Sequence, residues 1–312
     1  MDTDRETYFK SHGKLLLTGE YLVLKGAKAL GLRANFAQNF SVKDNKSTKG
    51  QIHWLAKNIK GEIWYEGNFH IEDGKVLPSE ESQNDISLKL AKALQFVNDK
   101  TDCFSNQSFN FTSEVEFPRE WGLGTSSTML ANLSKWSSVD PFELLKNTFG
   151  GSGYDVAVAM TNRHILYTLN QDERNIETVS FSPAFKEHIF FVYLNEKRDS
   201  QNAVASFKKY AESEKVIEAI AEINEITKLV SETNSLKEFE DALKRHERIL
   251  SDILNEVPVK ERLFSDYTGG ICKSLGAWGG DFIMVTGKKE DLKYFSNKGY
   301  NTILSFKEMI CE

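Results

Sequence analysis

A glycine-rich loop that runs directly into a helix constrains this chain more than any other segment. Residues 121–129 read Trp-Gly-Leu-Gly-Thr-Ser-Ser-Thr-Met, and the stretch from Leu130 to Leu133 is typical of the start of a helix. Glycine lets the backbone approach a ligand closely and adopt dihedral angles that other residues avoid. The first turn of a helix adds unpaired N–H groups and the positive end of the helix dipole. The segment therefore predicts a phosphate site, and a plain glycine turn with a Ser/Thr N-cap is the alternative.

The overall charge argues for a small-molecule partner rather than a nucleic acid. The 312 residues carry a formal net charge of -6, whereas sequence-independent binding to nucleic acid relies on Lys and Arg neutralising phosphates. This balance still allows a local basic pocket for a small anionic substrate. No apolar run approaches the roughly 18 residues that cross a bilayer, so no membrane partner is expected.

Cysteine usage predicts reduced thiols and a cytoplasmic protein. The three cysteines, Cys103, Cys272 and Cys311, are widely spaced and form no Cys-x-x-Cys pair. That pattern argues against both a disulfide framework and a zinc site.

Hydrophobic periodicity predicts strands and helices along the whole chain. The predicted helices are 84–98, one after the glycine loop, one starting at Asp140-Pro141, two or three within 200–256, and one in the last 25 residues. The predicted strands lie within 8–43, including 21–24, within 50–77, at 109–117, 163–169, 176–181, 188–194 and 282–285, and at the C-terminus.

A shift in composition predicts a second lobe. Residues 200–256 contain no Gly or Pro and are rich in Glu, Lys, Ala, Ile and Leu, which favours amphipathic helices. Residues 244–248, Lys-Arg-His-Glu-Arg, are interpreted as a mixed-sign face in solvent. The join between the lobes is expected near residues 170–187.

Three further segments accompany the glycine loop. They are residues 13–21, Gly-Lys-Leu-Leu-Leu-Thr-Gly-Glu-Tyr, residues 150–157, Gly-Gly-Ser-Gly-Tyr-Asp-Val-Ala, and residues 276–281, Gly-Ala-Trp-Gly-Gly-Asp. In order and rough spacing these segments and the loop resemble the motifs of the GHMP kinases, which include galactokinase, homoserine kinase, mevalonate kinase and phosphomevalonate kinase. Residues 150–157 and residues 276–281 are most similar to the corresponding motifs of phosphomevalonate kinases. The Gly-Tyr-Asp-Val-Ala run is also similar to an uncharacterised GHMP branch named for a Gly-Tyr-Asp-Ile-Ala motif.

The resemblance implies the two-lobed α+β fold of that family. Residues 1–180 would form an N-terminal lobe that resembles ribosomal protein S5 and carries the phosphate loop. Residues 181–312 would form a ferredoxin-like α+β lobe that carries the third glycine motif of the family, residues 276–281.

The resemblance also implies ATP and Mg²⁺ as cofactors and assigns roles to individual residues. Asp155 matches the catalytic aspartate, which accepts or orients the proton of the substrate hydroxyl. Lys14 matches a lysine whose charge steadies the transferred phosphoryl group. The residues assigned to ATP are Gly122, Leu123, Gly124, Thr125, Ser126 and Ser127. The residues assigned to the substrate are Glu20, Ser152, Gly153, Gly276, Ala277, Gly279 and Gly280.

The sequence departs from the family pattern in several places: His12 stands where Pro is usual, and Thr125 replaces the first Ser of the phosphate loop. Trp278 stands where the third motif usually has glycine, and we interpret it as a core residue rather than a ligand contact. The acidic Mg²⁺ ligand of the family has no clear match. Ser126 and Glu143 are the candidate metal ligands, with Leu144 at the expected offset.

The sequence thus predicts a small-molecule kinase that transfers the γ-phosphoryl group of ATP to a small anionic substrate, with mevalonate or phosphomevalonate first. Two alternatives stay open: a weakly catalytic GHMP-fold sensor of a nucleotide or metabolite, and an enzyme resembling diphosphomevalonate decarboxylase. The chain is expected to be a monomer or a homodimer.

Overall fold

The computed structural model describes residues 6–45, 48–196, 207, 214–276, 278 and 280–312. The chain is a mixed α+β protein, as the sequence predicts. The strands are β1 Glu6–Thr18, β2 Ala29–Asn45, β3 Gln51–Lys57, β4 Ile63–Glu72, β5 Lys75–Pro78, β6 Ser108–Val115, β7 His164–Asn170, β8 Glu173–Val179, β9 Ile189–Tyr193, β10 Cys272–Ser274, β11 Phe282–Thr286 and β12 Ile303–Ser305. The α-helices are α1 Asp85–Thr101, α2 Cys103–Asn106, α3 Thr125–Ser137, α4 Pro141–Thr148, α5 Tyr154–Thr161, α6 Glu214–Glu232, α7 Leu236–Leu254, α8 Val259–Leu263, α9 Lys293–Asn297 and α10 Phe306–Met309.

Contacts between Cα atoms divide the chain into two compact units that are discontinuous in sequence. The first unit consists of Met1–Gly13, Phe36–Arg119 and Gly124–Met160. The second consists of Lys14–Asn35, Glu120–Leu123 and Thr161–Glu312. The predicted lobes, 1–180 and 181–312, are continuous segments, and that division stays a prediction.

The first unit packs helices against a sheet with the strand order β5-β4-β3-β6-β2. Neighbouring strands are antiparallel except β3 and β6, which run parallel from Ile52 opposite Phe109 to Lys57 opposite Glu114. Alternate residues of these strands point into one core, as expected for a sheet with one covered face. The core holds Phe40, Trp54, Phe109 and Phe111 together with Leu94, Leu130, Leu133, Leu144 and Val156 from the helices.

The second unit contains a separate antiparallel sheet and the pair of long helices. The order of this sheet is β10-β11-β9-β12, and Phe282 of β11 lies opposite Tyr193 of β9. In the same unit the beginning of β2 pairs with β7, which pairs in turn with β8. Among the described residues, no helix is both long and apolar enough to span a bilayer.

Two predicted elements differ from the structure. Residues 21–24, predicted as strand, instead form the start of a 3-10 helix, Leu22–Lys25, because Tyr21 adopts a left-handed conformation with φ 60° and turns the chain. The helix after the glycine loop begins at Thr125, five residues before Leu130, so the hydroxyl residues belong to its first turn. In the region 200–256, α6 and α7 confirm the predicted amphipathic helices, and residues 197–206 and 208–213 lie outside the described part.

The aromatic cluster around Phe111 yields a direct test of the first unit. The Phe111 side chain is fully buried, and its ring centroid lies 5.1 Å from that of Trp54 and 5.0 Å from that of Trp136. Phe111→Ala should lower the free energy of unfolding by about 3–5 kcal/mol, because it removes apolar burial and leaves a cavity. Asn110→Ala, on the exposed face of the same strand, should change it by less than about 0.5 kcal/mol. Urea denaturation measures both, and equal losses would contradict this assignment of the core.

Candidate active site

The phosphate loop joins α3 through two left-handed glycines. Gly122 has φ 66° and Gly124, the N-cap residue of α3, has φ 90°. The side chain of a non-glycine residue would strain the backbone at either position. Gly124 has no side chain that could cap α3 at its N-terminus. The first-turn N–H groups of α3 are therefore oriented at a glycine turn, which is the arrangement that binds anions.

The two serines of the loop have different environments. Ser126 is exposed to solvent, whereas Ser127 is 3% exposed and donates its hydroxyl to the carbonyl oxygen of Gly124 at 2.8 Å. Thr125 is half-exposed. The hydroxyl of Ser127 thus stabilises the loop internally, and that of Ser126 faces solvent.

Lys14 is tied to the first part of the loop within the second unit. Its backbone N–H donates to the carbonyl oxygen of Leu123 at 2.9 Å, and its ammonium donates to that of Gly122 at 3.0 Å. Gly122 also packs closely on Asp281, since a Cβ atom there would lie 2.3 Å from Oδ2 of Asp281. This position therefore needs glycine both for its dihedral angle and for the close approach.

Asp155 lies in the first turn of α5 and is half-exposed. Its carboxylate oxygen Oδ1 accepts a hydrogen bond from the N–H of Val156 at 2.9 Å. The turn before it depends on Gly153, which has φ 87° and packs 3.2 Å from Phe142 and 3.3 Å from Leu145, measured from a built Cβ. Ser152 is 7% exposed. The glycine turn of residues 150–153 thus fixes where α5 begins and where its first carboxylate lies.

A network of buried charged groups surrounds Glu20, which belongs to the segment of residues 13–21. The carboxylates of Glu20 and Glu247 lie 2.6 Å and 3.2 Å from the ammonium of Lys273, and both Glu20 and Lys273 are fully buried. The N–H of Gly19 donates to Nε2 of His246 at 3.0 Å. His246 is itself fully buried, and its Nε2 lies 3.2 Å from Oε2 of Glu20.

Burial sets the protonation of this network. It raises the pKa of Glu20 to about 7, against the opposing effect of the Lys273 ammonium. Burial, reinforced by the same ammonium, lowers the pKa of His246 well below its usual value. The lowered pKa favours the neutral imidazole, whose Nε2 accepts the hydrogen bond from Gly19. This buried position of Glu20 argues against the predicted contact between its side chain and a substrate.

The third glycine motif is described in part. Gly276 has φ 60° with open space around it, and Gly280 is buried. Ala277 and Gly279 lie outside the described residues. Trp278 is 1% exposed and donates its indole N–H to Oε1 of Glu247 at 2.9 Å, which confirms the core interpretation.

Glu143 does not lie among other acidic ligands. It is exposed in the first turn of α4 and forms a surface ion pair with Lys100 at 2.9 Å. In the part of the chain that the structure describes, no group of three or more His, Cys, Asp or Glu side chains could hold a metal ion. The structure therefore gives Glu143 a different partner from the predicted metal.

Sequence analysis missed the residues that pair with Glu20. Residues 244–248 were predicted to face solvent, but His246 is fully buried and Glu247 is 6% exposed. The signal was present in the helical spacing, because 246 and 247 follow the buried Leu243 and precede the buried Leu250 at intervals of three to four residues. Lys273 had no comparable signal, since a lysine in a short strand is ordinarily exposed.

Comparison with solved structures identifies the fold. A Lin0012 protein from Listeria innocua matches with TM-score 0.69 and 19% identity over 94% of this chain and 94% of its own. Streptococcus pneumoniae phosphomevalonate kinase, in complex with phosphomevalonate and AMPPNP, matches with TM-score 0.68 and 16% identity over 96% and 99%. Lactococcus lactis galactokinase, complexed with galactose, matches with TM-score 0.67 and 14% identity over 97% and 94%.

These matches show that the chain has the fold of the GHMP kinases, as the sequence resemblance implies. No family model matches the sequence, and no curated protein matches it. At these identities the likeness concerns the fold, and the solved kinases bind different substrates.

The raised pKa of Glu20 predicts a pH-dependent stability. A carboxyl whose pKa rises from 4.5 to about 7 on folding binds more protons in the folded state between those values. The contribution of Glu20 to the free energy of unfolding should therefore fall by up to about 3 kcal/mol as pH rises through this window, and level off above it. The lowered pKa of His246 acts with the opposite sign below its ordinary value of 6.5, so the effect of Glu20 is the difference in stability between the wild type and Glu20→Gln. Glu20→Gln cannot titrate at this position, and its stability should rise relative to that of the wild type as pH rises from 4.5 to 7.

Denaturation between pH 4.5 and 8 measures the slopes. Glu218→Gln, an exposed glutamate of the same unit, is the matched control and should keep the wild-type slope. Parallel curves for Glu20→Gln and the wild type would show that Glu20 does not titrate in this range.

Proposed function

We propose that this chain is an ATP-dependent small-molecule kinase of the GHMP type. The observation that carries the proposal is the loop–helix joint at Gly122 and Gly124, with two left-handed glycines and an N-cap residue that has no side chain to cover the first turn of α3. This joint belongs to a chain whose fold is shared with a phosphomevalonate kinase and a galactokinase. The fold alone does not fix a reaction, so the site residues carry the assignment.

The loop fits the phosphates of ATP. Backbone N–H groups of Thr125, Ser126 and Ser127 would donate to phosphate oxygens at the positive end of the α3 dipole. ATP supplies the γ-phosphoryl group, and Mg²⁺ neutralises charge on its phosphates. The exposed hydroxyl of Ser126 is the protein ligand that we propose for Mg²⁺. Magnesium is commonly bound by few protein groups together with substrate phosphates, so a carboxylate cluster is not required.

Asp155 would act on the acceptor. With a hydroxyl acceptor such as mevalonate, its half-exposed carboxylate would accept the hydroxyl proton while that oxygen bonds to the γ-phosphorus. With phosphomevalonate, an anionic phosphate oxygen would form that bond, and Asp155 would orient the acceptor. The bond between the γ-phosphorus and the bridging oxygen breaks, and ADP leaves. Phosphoryl transfer needs mainly positioning and charge stabilisation, so one acid and one cation suffice.

Lys14 would supply that positive charge. Its ammonium lies 3.0 Å from the carbonyl oxygen of Gly122, which connects it to the phosphate loop. A cation held there would stabilise the charge that develops on the transferred phosphoryl group.

Mevalonate and phosphomevalonate are the substrates we propose first. The similarity of the Gly-Ser-Gly-Tyr-Asp-Val-Ala run to phosphomevalonate kinases supports this choice. We propose that Ser152, Gly153, Gly276, Ala277, Gly279 and Gly280 line the substrate. A sensor without turnover is the second candidate, favoured by the surface ion pair that occupies Glu143.

Asp155→Asn is the decisive variant. It should reduce ADP release on the true substrate by roughly 1000-fold or more, because amide nitrogen and oxygen cannot take the proton. Asp85→Asn, an acid in the first turn of α1, should leave turnover within about twofold. The assay combines Mg²⁺-ATP with mevalonate, phosphomevalonate, diphosphomevalonate, homoserine and simple sugars.

The outcomes separate the candidates. Turnover that Asp155→Asn retains would refute the catalytic assignment. ATP binding without ADP release on any compound would favour the sensor, and release of CO₂ with diphosphomevalonate would favour a decarboxylase.

The two loop serines should respond differently to alanine. Ser127→Ala removes a buried hydrogen bond to Gly124 and should cost about 1–2 kcal/mol of unfolding free energy. Ser126→Ala should change stability by less than about 0.5 kcal/mol while it lowers kcat and weakens the dependence on Mg²⁺. Thermal denaturation and Mg²⁺ titrations at fixed ATP check this, and full activity of Ser126→Ala would contradict the proposed metal contact.

A further inference from the structure

A line of polar side chains runs along α3 within the first unit. Thr128 donates to the side-chain oxygen of Gln38 at 2.6 Å. One turn later, Asn132 donates to the carbonyl oxygen of Gln38 at 3.0 Å and accepts from the hydroxyl of Ser11 at 2.7 Å. Asn132 and Ser11 are fully buried. These bonds fix the helix that follows the phosphate loop against strands β1 and β2.

Lys135 ends this line and reaches a third element. Its ammonium donates to the hydroxyl of Ser11 at 2.8 Å, to the carbonyl oxygen of Lys10 at 2.9 Å and to that of Ala159 at 3.3 Å. An ammonium has three donors, so all three are used. Burial lowers the pKa of Lys135, and among the described residues it forms no salt bridge. Placing a half-buried ammonium among neutral oxygens costs free energy of folding. Simple exposure of Lys135 to solvent therefore does not explain its position.

The acceptor at Ala159 belongs to the helix that carries Asp155. Helix α5 has eight residues, and an isolated helix of that length is marginal in water. The carbonyl groups of the last turn form the negative end of the helix dipole. No basic residue of α5 lies in this last turn. Lys135 therefore places a cation from α3 at the end of α5.

We propose that Lys135 is a positioning residue that holds α5, and with it Asp155, against β1 and α3. Helix α3 begins at the phosphate loop, and α5 begins one residue before Asp155. In this proposal the Lys135 ammonium, which links the two helices, sets the distance between them and so positions Asp155 relative to the loop. The inference rests on the proposed function for its effect on turnover, but not for its effect on α5. Lys135 itself does not contact the substrate in this proposal.

The test uses the full chain with Lys135→Met, which keeps an unbranched side chain one atom shorter and removes the charge and the donors. Lys57→Met is the matched control, because Lys57 is a half-exposed lysine of the same unit that pairs with Glu114 at 2.7 Å. We expect Lys135→Met to lower kcat by roughly 10- to 100-fold with the KM for ATP changed less than about threefold, since misplacement of the acid affects chemistry. Lys57→Met should leave both within about twofold.

Hydrogen–deuterium exchange gives a readout that does not depend on activity. In Lys135→Met, amides of residues 154–161 should exchange at least about fivefold faster, whereas the core strand β6 should keep its protection. Uniformly faster exchange across the unit together with an unchanged kcat would mean a structural role alone and would overturn the proposal. Wild-type protection of 154–161 in a folded Lys135→Met would also overturn it.

Two further results keep the inference distinct from the proposed function. If Lys135→Met does not fold, Lys135→Gln replaces it, because the amide keeps two hydrogen-bond donors. Lys135→Gln should show a smaller drop in kcat and a smaller increase in the exchange of residues 154–161. No change in either would overturn the proposal. If the wild type turns over no compound, the proposed function fails, and the exchange of residues 154–161 still decides whether Lys135 holds α5.

Discussion

The buried ammonium of Lys273 is the constraint on which the second unit depends. Removing a charge from water is unfavourable unless oppositely charged groups and hydrogen bonds compensate, and here the carboxyl groups of Glu20 and Glu247 lie within 2.6 Å and 3.2 Å of the ammonium. Meeting that need brings together the end of β1, the middle of α7 and β10. The same requirement anchors Trp278 of the third glycine motif, whose indole bonds to Glu247. Loss of one partner would leave an uncompensated charge, which typically costs about 3–5 kcal/mol.

In the first unit, neutral oxygen atoms rather than carboxylates bind the ammonium of a half-buried lysine, Lys135. The line from Thr128 through Asn132 to Lys135 satisfies polar groups that β1, β2 and α5 would otherwise bury without partners. Hydrogen bonds require particular donor and acceptor positions, so this network allows fewer positions of α3 along β1 and β2 than apolar packing alone would allow. At the other end of α3 the N-cap residue is Gly124, where the glycines turn the chain. Rigid support behind an open helix terminus is what a phosphate site requires.

The sequence predicted most elements because their hydrophobic periods are strong. Helices α1 and α4 and strands β7 and β11 match their predicted segments within a few residues. It failed at Tyr21, where a non-glycine residue adopts a left-handed turn that no local pattern marks. For the candidate site, the loop 122–127 and the turn before Asp155 were predictable, since glycine patterns state where the backbone must turn. The exposure of Ser126 and the burial of Ser127 were not, because adjacent hydroxyls look alike in sequence.

The sequence by itself determined the α+β class, the order of the glycine motifs and the resemblance to GHMP kinases, since these depend on local composition and spacing. Tertiary structure alone decided which polar residues are buried and which partners they have. Glu20 lies 253 positions from Lys273, and Lys135 lies 124 from Ser11. Pairings over such distances follow from how the elements pack, and the free energy of a buried charge depends on that packing rather than on its neighbours in the chain.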